Sequence, residues 1–354
     1  MRITSLLRLA ITLLVTLSLL NITSSCSQHA LVDENRNKVD LVWPDYPEVQ
    51  RIRYISSISS AEDIDIKPSL FMSILYFIKG EVQRNIVRPF GIRKDAEGRI
   101  YVVDKYYRRV HVFDKKNTTH YMFPADPIDE FNNPVDVAIG MNGQIYVSDS
   151  GSNRIHVFSS AGKKYIRSFG ADILKRPTGM AVDSINNRLL VTDTLASSIV
   201  VFDEKDFNVI EIIGDESKGM NGFHYPTNVA ISNDGRIYVT DSLNFRIQII
   251  DNEYHFTQAF GSAGDGPGHF SRPKGIAIDS EGNVYVVDAL FGNVQIFDPS
   301  GKLLLSFGRP GNDRGEFWLP NSIFIDSDDR IYISDSYNSR LQVFQYLPYG
   351  DNKL

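Results

Sequence analysis

The chain has 354 residues, of which 42% are hydrophobic and 23% charged, a composition typical of a folded protein with a full core. Its net charge is −6, which disfavours nucleic acid as a partner because binding to phosphates needs clustered lysine and arginine. The single cysteine, Cys26, excludes an internal disulfide.

The N-terminal segment, residues 1–25, predicts an export signal. Arg2 and Arg8 supply positive charge before the apolar run Leu9–Leu20, which is too short to span a bilayer comfortably. The following "NITSSC" ends at Cys26 and resembles a bacterial lipoprotein signal. That resemblance implies an acylated Cys26 that anchors the mature protein, and Ser27 favours the outer membrane of a Gram-negative cell. An ordinary signal peptide with an incidental cysteine is the alternative.

Two further segments precede the repeated part of the chain. Residues 26–50 are polar and then proline-rich, which predicts a tether followed by an extended lead-in. Residues 61–88 form an insertion that contains "PSLFMSILYFIKGE", and the apolar residues near 68–79 predict a short helix. This helix would plug the barrel or pack on the first repeat, or alternatively contact a membrane or a partner.

Six similar segments follow one another over residues 89–346. Each of the first five contains four short runs rich in Val, Ile, Tyr and Phe, separated by Gly, Asn and Asp turns, which predicts four antiparallel strands. Six such sheets arranged radially make an all-β six-bladed propeller. The units begin at blade-sized intervals, at Pro89, Pro134, Pro177, Pro226, Pro273 and Pro320.

The repeated motifs are Pro-x-Gly-Ile-Ala-x-Asp, Ile-Tyr-Val-x-Asp and Asn-x-Arg-Ile-Gln-Val-Phe. They resemble the NHL repeat, most fully in Pro226–Ile250 and Pro320–Phe344. The lead-in "WPDYPEVQRIRYISSI" also resembles bacterial NHL-type lipoproteins. These resemblances imply a six-bladed β-propeller of NHL repeats on a lipid-anchored protein.

The sixth unit lacks a fourth strand. The segment 51–60, "RIRYISSISS", is similar to the fourth strands of other units, so we expect it to pair with Leu341–Tyr346 and close the ring. The alternative is a free strand that grips another protein. Residues 347–354 are then a C-terminal tail.

An aspartate ends the second strand of every unit. Six copies around a ring suit a structural role, in which each aspartate accepts loop N–H groups or pairs with an arginine five residues later. The aspartates are Asp104, Asp149, Asp193, Asp241, Asp288 and Asp335, and the arginines are Arg109, Arg154, Arg246 and Arg340.

Odd and even units carry different residue types at the start of the innermost strand. Odd units carry an arginine before the proline and a glycine two residues after it, at Arg88, Arg176, Arg272 and at Gly91, Gly179, Gly275. Even units carry small polar residues at the second place, Asp136, Asn228 and Ser322. These positions predict a candidate rim that binds a carboxylate or phosphate. Alternatively, the arginines salt-bridge neighbouring blades and the glycines relieve crowding.

Catalytic motifs are absent from the sequence: it has no metal-binding His-Glu-x-x-His, phosphate loop or Gly-x-Ser-x-Gly. The predicted innermost strands contain no histidine, which disfavours the zinc chemistry of the lyase relatives of NHL repeats. Asp136, Asn228 and Asn321 are weak candidates for a calcium site, the alternative being a lactonase-like hydrolase. The favoured function is a non-catalytic, lipid-anchored envelope module, without a cofactor, that binds a protein, peptide or surface polymer.

Overall fold

A computed structural model describes residues 40–67, 85–125, 131–214 and 222–348 of the chain. The predicted export signal, Cys26, the apolar helix near 68–79 and tail residues 349–354 lie outside the described residues. Within the described ranges, no helix has the length and apolar character needed to cross a membrane.

The described chain forms six antiparallel sheets, each one blade of a propeller. Strands β1 (Val42–Trp43) and β2 (Ile52–Ile58) precede the repeats. The first three blades contain β3 (Pro89–Lys94), β4 (Ile100–Asp104), β5 (Arg109–Asp114), β6 (Thr119–Phe123); β7 (Pro134–Ile139), β8 (Ile145–Asp149), β9 (Arg154–Phe158), β10 (Tyr165–Phe169); and β11 (Pro177–Asp183), β12 (Arg188–Asp193), β13 (Ser198–Asp203), β14 (Val209–Ile213).

Blades four to six follow the same order from the inside outwards. They contain β15 (Pro226–Ile231), β16 (Ile237–Asp241), β17 (Arg246–Ile250), β18 (Phe256–Phe260); β19 (Pro273–Ile278), β20 (Val284–Asp288), β21 (Asn293–Phe297), β22 (Leu303–Phe307); and β23 (Ile323–Ile325), β24 (Arg330–Asp335), β25 (Arg340–Tyr346). Short 3-10 turns occur at Glu62–Ile64, Ser160–Gly162, Ser242–Asn244 and Ser336–Asn338.

The hydrophobic core is divided into six clusters, one between each pair of neighbouring blades. The second strand of a blade contributes to the clusters on both of its sides, so every residue of β4 is buried. This explains why the second runs are almost continuously apolar rather than alternating. Fully burying each large side chain contributes about 1.5–3 kcal/mol, and that contribution requires both neighbouring blades.

Strand β2 completes the sixth blade, which confirms the predicted closure of the ring. It runs antiparallel to β25, with Ile52 opposite Tyr346 and Ile58 opposite Leu341. The predicted lead-in contributes more than expected, because β1 pairs with β2 as a fifth strand. The indole ring of Trp43 packs 5.7 Å from Phe307 of blade five, which fixes this strand against the core.

Hydroxyl groups connect successive blades near the innermost strands. In blades three and four, the residue after the repeated aspartate donates to the carbonyl of the next blade's first proline: Thr194 to Pro226 at 2.7 Å and Ser242 to Pro273 at 2.8 Å. Ser336 makes the equivalent bond to Pro89, across the junction between blades six and one. Buried carbonyls at the blade ends are thereby satisfied.

Candidate anion-binding site

The innermost strands all begin at one end of the propeller, and the residues around their first prolines line a cavity of about 520 Å³. We call this cavity the cationic mouth. Its basic side chains come from blades one, three and five: Lys105, Arg176, Arg272 and Lys274. Among the described residues, no aspartate or glutamate lines this cavity, and no carboxylate forms an ion pair with these four side chains.

The charged forms of both lysines in the cationic mouth are destabilised by burial and by the neighbouring positive charges. Burial and the positive charges of Arg88, Arg176 and Lys274 together lower the pKa of Lys105 to about 8. Burial and the two guanidinium groups of Arg176 and Arg272 similarly lower the pKa of Lys274 to about 8. The Lys105 ammonium lies 4.2 Å from the ring centroid of Phe90, which partly stabilises its charge. The mouth is therefore a site where a bound anion relieves repulsion.

The three arginines predicted to form a rim do not behave alike. All three are exposed, but only Arg176 and Arg272 line the cationic mouth. Arg88 instead donates to the Tyr337 hydroxyl at 3.1 Å and lies 5.2 Å from that ring's centroid. The alternative of salt bridges between blades is wrong for Arg88, because its partner in blade six is an aromatic side chain.

The sequence analysis missed Lys105 and Lys274. Lys105 occupies the place after the repeated aspartate where four other blades have serine or threonine, at Ser150, Thr194, Ser242 and Ser336. Lys274 follows the blade-five proline, a place where no other unit has a basic residue. Each lysine was therefore visible as a departure from the repeat.

A smaller pocket of about 70 Å³ continues from the cationic mouth, and we call it the inner pocket. The two cavities share lining residues such as Phe90 and Lys274. The structure brings together the predicted polar positions here, because the inner pocket is lined by Asp136, Asn228, Asn321 and Ser322. Two of them have a buried oxygen without a hydrogen-bond partner in the described structure: Asp136 Oδ1 and Ser322 Oγ.

The alternation of glycine and polar residues has a packing cause. A Cβ on Gly91 would lie 2.4 Å from the Asp136 carboxylate, and one on Gly179 would lie 2.6 Å from the Cα of Asn228. The pair Gly275 and Ser322 repeats this contact at 2.8 Å. Each odd-blade glycine thus makes room for the polar residue of the next blade, which confirms the interpretation that the glycines relieve crowding.

Arg93 crosses the channel beyond the inner pocket. Its guanidinium lies 3.5 Å from Asp136 and donates to the Met180 carbonyl in blade three at 2.9 Å. It also packs against the Phe324 ring of blade six, with 5.6 Å between guanidinium carbon and ring centroid. Arg93 lies two residues further along its strand than Gly91, which faces Asp136, so this bridge lies beyond the inner pocket.

The inner pocket does not fit the calcium site considered from the sequence. Its one carboxylate, Asp136, faces Arg93, and burial raises its pKa. The amide nitrogen of Asn321 donates to the Leu319 carbonyl, and Lys274 lines the same pocket. Calcium takes six to eight oxygen ligands, usually several of them carboxylates. Within the described residues, no group of three or more His, Cys, Asp or Glu side chains is placed to hold an ion.

The repeated aspartates have the structural role that the sequence predicted. Asp104 accepts the N–H of Tyr106 in the turn after its strand and the N–H of Val87 before the innermost strand, at 2.9 and 2.8 Å. The second contact, unforeseen from the sequence, ties the loop that carries Arg88. Two predicted arginine pairs form with 2.8 Å between the atoms: Arg246–Asp241 and Arg340–Asp335.

Histidines contact the aspartate in the first two blades. His111 Nε2 lies 3.3 Å from Asp104, and His156 lies 3.6 Å from Asp149. The other ring nitrogen of His111 is 2.9 Å from His120, whose pKa burial lowers to about 4. His111 is fully buried between β4 and β6 and does not line the cationic mouth, so it serves packing.

Comparison with known families agrees with this architecture. The family model described as SMP-30/gluconolactonase/LRE-like region matches residues 89–314, more than half of the chain. The chain belongs to this family. A second family model, described as a 6-bladed beta-propeller, matches residues 280–349. The protein is thus a six-bladed propeller of the NHL and SMP-30/gluconolactonase type.

Similar solved structures show the same fold at low identity. Streptogramin B lyase has a TM-score of 0.57 at 14% identity, over 75% of this chain and 96% of that one. An auxiliary nutrient binding protein from Bacteroides thetaiotaomicron has a TM-score of 0.58 at 14% identity, over 73% and 69%. Regucalcin from Agrobacterium tumefaciens, described as a calcium-binding protein, has a TM-score of 0.56 at 14% identity, over 82% and 93%.

Among curated proteins, the Drosophila melanogaster protein brain tumor is 24% identical over 139 residues. That match covers 38% of this chain and 13% of the length of the relative.

The solved structures with this propeller include a lyase, a calcium-binding protein and a nutrient-binding protein. Function must therefore be argued from the site rather than from the fold.

Proposed function

We propose that this family member is a non-catalytic binding module of the cell envelope that holds an acidic group of its ligand in the cationic mouth. The observation that carries the proposal is the convergence of Lys105, Arg176, Arg272 and Lys274 on one cavity lined by no described carboxylate. Such a cluster costs stability unless an anion compensates it, and guanidinium groups hold carboxylates and phosphates through paired hydrogen bonds. The acidic group belongs to a protein, a peptide or a surface polymer.

A double substitution tests this function. We expect Arg176→Gln with Arg272→Gln to weaken binding of a fluorescein-labelled polyglutamate peptide at least ten-fold, measured by fluorescence anisotropy. The melting temperature should not fall, because both arginines are exposed and their positive charges repel the neighbouring lysines rather than stabilise the fold. The matched control, Lys163→Gln with Lys164→Gln, removes two exposed charges outside the mouth and should leave binding unchanged. Equal binding by both double variants would contradict the proposal.

The membrane attachment is proposed from the sequence "NITSSC" alone. Acyl chains on Cys26 would place the propeller at the outer membrane without a spanning helix. Mass spectrometry of the exported protein should find an acylated N-terminus at Cys26, and Cys26→Ala should release the protein from the membrane fraction. An exported protein with an unmodified N-terminus at another residue would contradict the anchor.

The lactonase-like alternative is favoured by the description of the family, while the donor set of the inner pocket argues against its calcium-dependent form. A lactone hydrolysis assay with and without added calcium decides between the two functions. We expect no turnover above the uncatalysed rate. Calcium-dependent hydrolysis that Asp136→Asn abolishes would replace the binding function with the enzymatic one.

A further inference from the structure

We infer that the channel binds a phosphate monoester of a polyol, with the phosphate in the cationic mouth and the hydroxyl groups in the inner pocket. This inference rests on the proposed function and specifies its ligand chemistry. It combines two features of the same channel, an excess of positive charge at the entrance and unsatisfied polar atoms below it.

The charge of the cationic mouth favours a phosphate monoester over a single carboxylate. Four basic side chains line the cavity with no described carboxylate among them, so one negative charge would leave most of the repulsion in place. A phosphate monoester carries close to two negative charges at neutral pH and presents three acceptor oxygens. Arg176 and Arg272 supply planar donor pairs from blades three and five, and Lys105 and Lys274 supply point charges.

The inner pocket needs a ligand that both donates and accepts hydrogen bonds. Asp136 and Ser322 are 2% and 5% exposed, yet Asp136 Oδ1 and Ser322 Oγ have no hydrogen-bond partner among the described residues. Buried polar atoms without partners are rare in native proteins, and a bound molecule is one way to satisfy them. A carboxylate oxygen accepts, whereas a serine hydroxyl donates and accepts, so ligand hydroxyl groups match both.

The shape of the channel sets the direction of entry. The wide mouth and the narrow pocket share lining residues, and Arg93 bridges blades one and three beyond the inner pocket. The basic side chains lie at the mouth and the unsatisfied polar atoms below it, so the ligand enters hydroxyl end first and leaves its phosphate at the mouth. This chemistry has two sources, a soluble sugar phosphate or a phosphorylated sugar at the end of an envelope glycolipid.

Isothermal titration calorimetry of the purified propeller with four probes tests the inference: glucose 6-phosphate, gluconate, glucose and inorganic phosphate. We expect glucose 6-phosphate to bind at least ten-fold more tightly than each of the other three. Arg272→Gln with Lys274→Met should weaken glucose 6-phosphate at least ten-fold, and the control Lys163→Gln with Lys164→Gln should not. Ser322→Ala should weaken glucose 6-phosphate several-fold and leave inorganic phosphate unchanged, which separates the pocket from the mouth.

Vesicles with and without a phosphorylated glycolipid distinguish the two sources. Binding of the protein to the phosphorylated vesicles but not to the others would assign the ligand to the envelope. Equal affinity for gluconate and glucose 6-phosphate, or a Ser322→Ala variant unchanged for every probe, would overturn the inference. If the polyglutamate peptide still bound through Arg176 and Arg272, the proposed function would survive that failure. If the wild-type protein bound none of the anionic probes, both the inference and the proposed function would be wrong.

Discussion

At the scale of single residues, the channel contains pairs of facing residues on neighbouring blades, and one residue of each pair must be small. Gly179 faces Asn228 of the next blade so closely that an added Cβ would lie 2.6 Å from a backbone atom. A flexible side chain can move aside, but the backbone of the innermost strand β15 is held by its pairing with β16. The alternation seen in the sequence is therefore a requirement of packing, and the polar members line the inner pocket.

Gly179→Ala should destabilise the propeller by about 1–3 kcal/mol, the usual cost of overpacking a tight contact. Urea denaturation measures the change. The control is Gly266→Ala, whose Cβ would meet its nearest neighbour at 3.4 Å, an ordinary contact, so stability should change by less than about 0.5 kcal/mol. Equal effects of the two substitutions would show that the contact with Asn228 relaxes freely.

The lysines of the cationic mouth predict how stability depends on pH. Lys274 has a pKa lowered from 10.5 to about 8, so the folded protein binds fewer protons than the unfolded chain between these values. Stability therefore rises with pH across this window, and below pH 8 the charged lysine costs at most about 3.5 kcal/mol, at about 1.4 kcal/mol per pKa unit.

Lys274→Met removes this cost. The variant should be more stable than the wild type at pH 7, and its advantage should shrink as the pH rises from 8 towards 10.5, measured by urea denaturation at several pH values. Anion binding should weaken in the wild type over the same window because the mouth loses positive charge. An advantage that is independent of pH would contradict the assigned cause.

At the scale of secondary-structure elements, the closing strand β2 shows how a segment outside the repeats completes one of them. Ile52 is fully buried in the cluster between blades five and six, whereas Ile55 on the same strand is 48% exposed. Ile52→Ala should therefore cost about 2–5 kcal/mol and Ile55→Ala less than about 0.5 kcal/mol, measured by thermal and urea denaturation. Similar costs for both would show that β2 does not pair with β25 in this register.

Sequence patterns predicted the elements better than the contacts between them. Six copies of one motif give six blades, and the similarity of residues 51–60 to a fourth strand predicts their pairing with β25. The strand at Trp43 has no repeat to reveal it. Lys105 and Lys274 occupy different places in their repeats, so only the folded ring shows that they meet. The contact between Arg88 and Tyr337 joins blades one and six, and the sequence does not show which residues of these blades lie side by side.

At the scale of the whole molecule, the junction between blades six and one holds the ring closed. Lys94 at the end of β3 lies 2.6 Å from Asp326, which follows β23, and these side chains are 21% and 6% exposed. Burial alone would raise the pKa of Asp326, but the hydrogen bond and charge of Lys94, together with the backbone N–H groups of Arg330 and Asp328, outweigh it and lower the pKa. The stability that this pair supplies is present above pH 4 and lost as the pH falls through the lowered pKa of Asp326.

A double-mutant cycle on Lys94→Met and Asp326→Asn measures this contribution. We expect a coupling energy of about 1–3 kcal/mol at pH 7, because removing Lys94 alone leaves a buried carboxylate without its cation. Lys115 and Asp65 form the matched control: the same residue types at 3.2 Å, but 64% and 82% exposed, with an expected coupling below about 1 kcal/mol. If both cycles gave the same coupling, burial would not strengthen the ion pair, and closure would depend on β2 and the apolar cluster around Ile58 and Ile92. A larger coupling at Lys94 would instead show that this ion pair helps to close the ring of six blades. It would then also help to hold together the blades that form the cationic mouth.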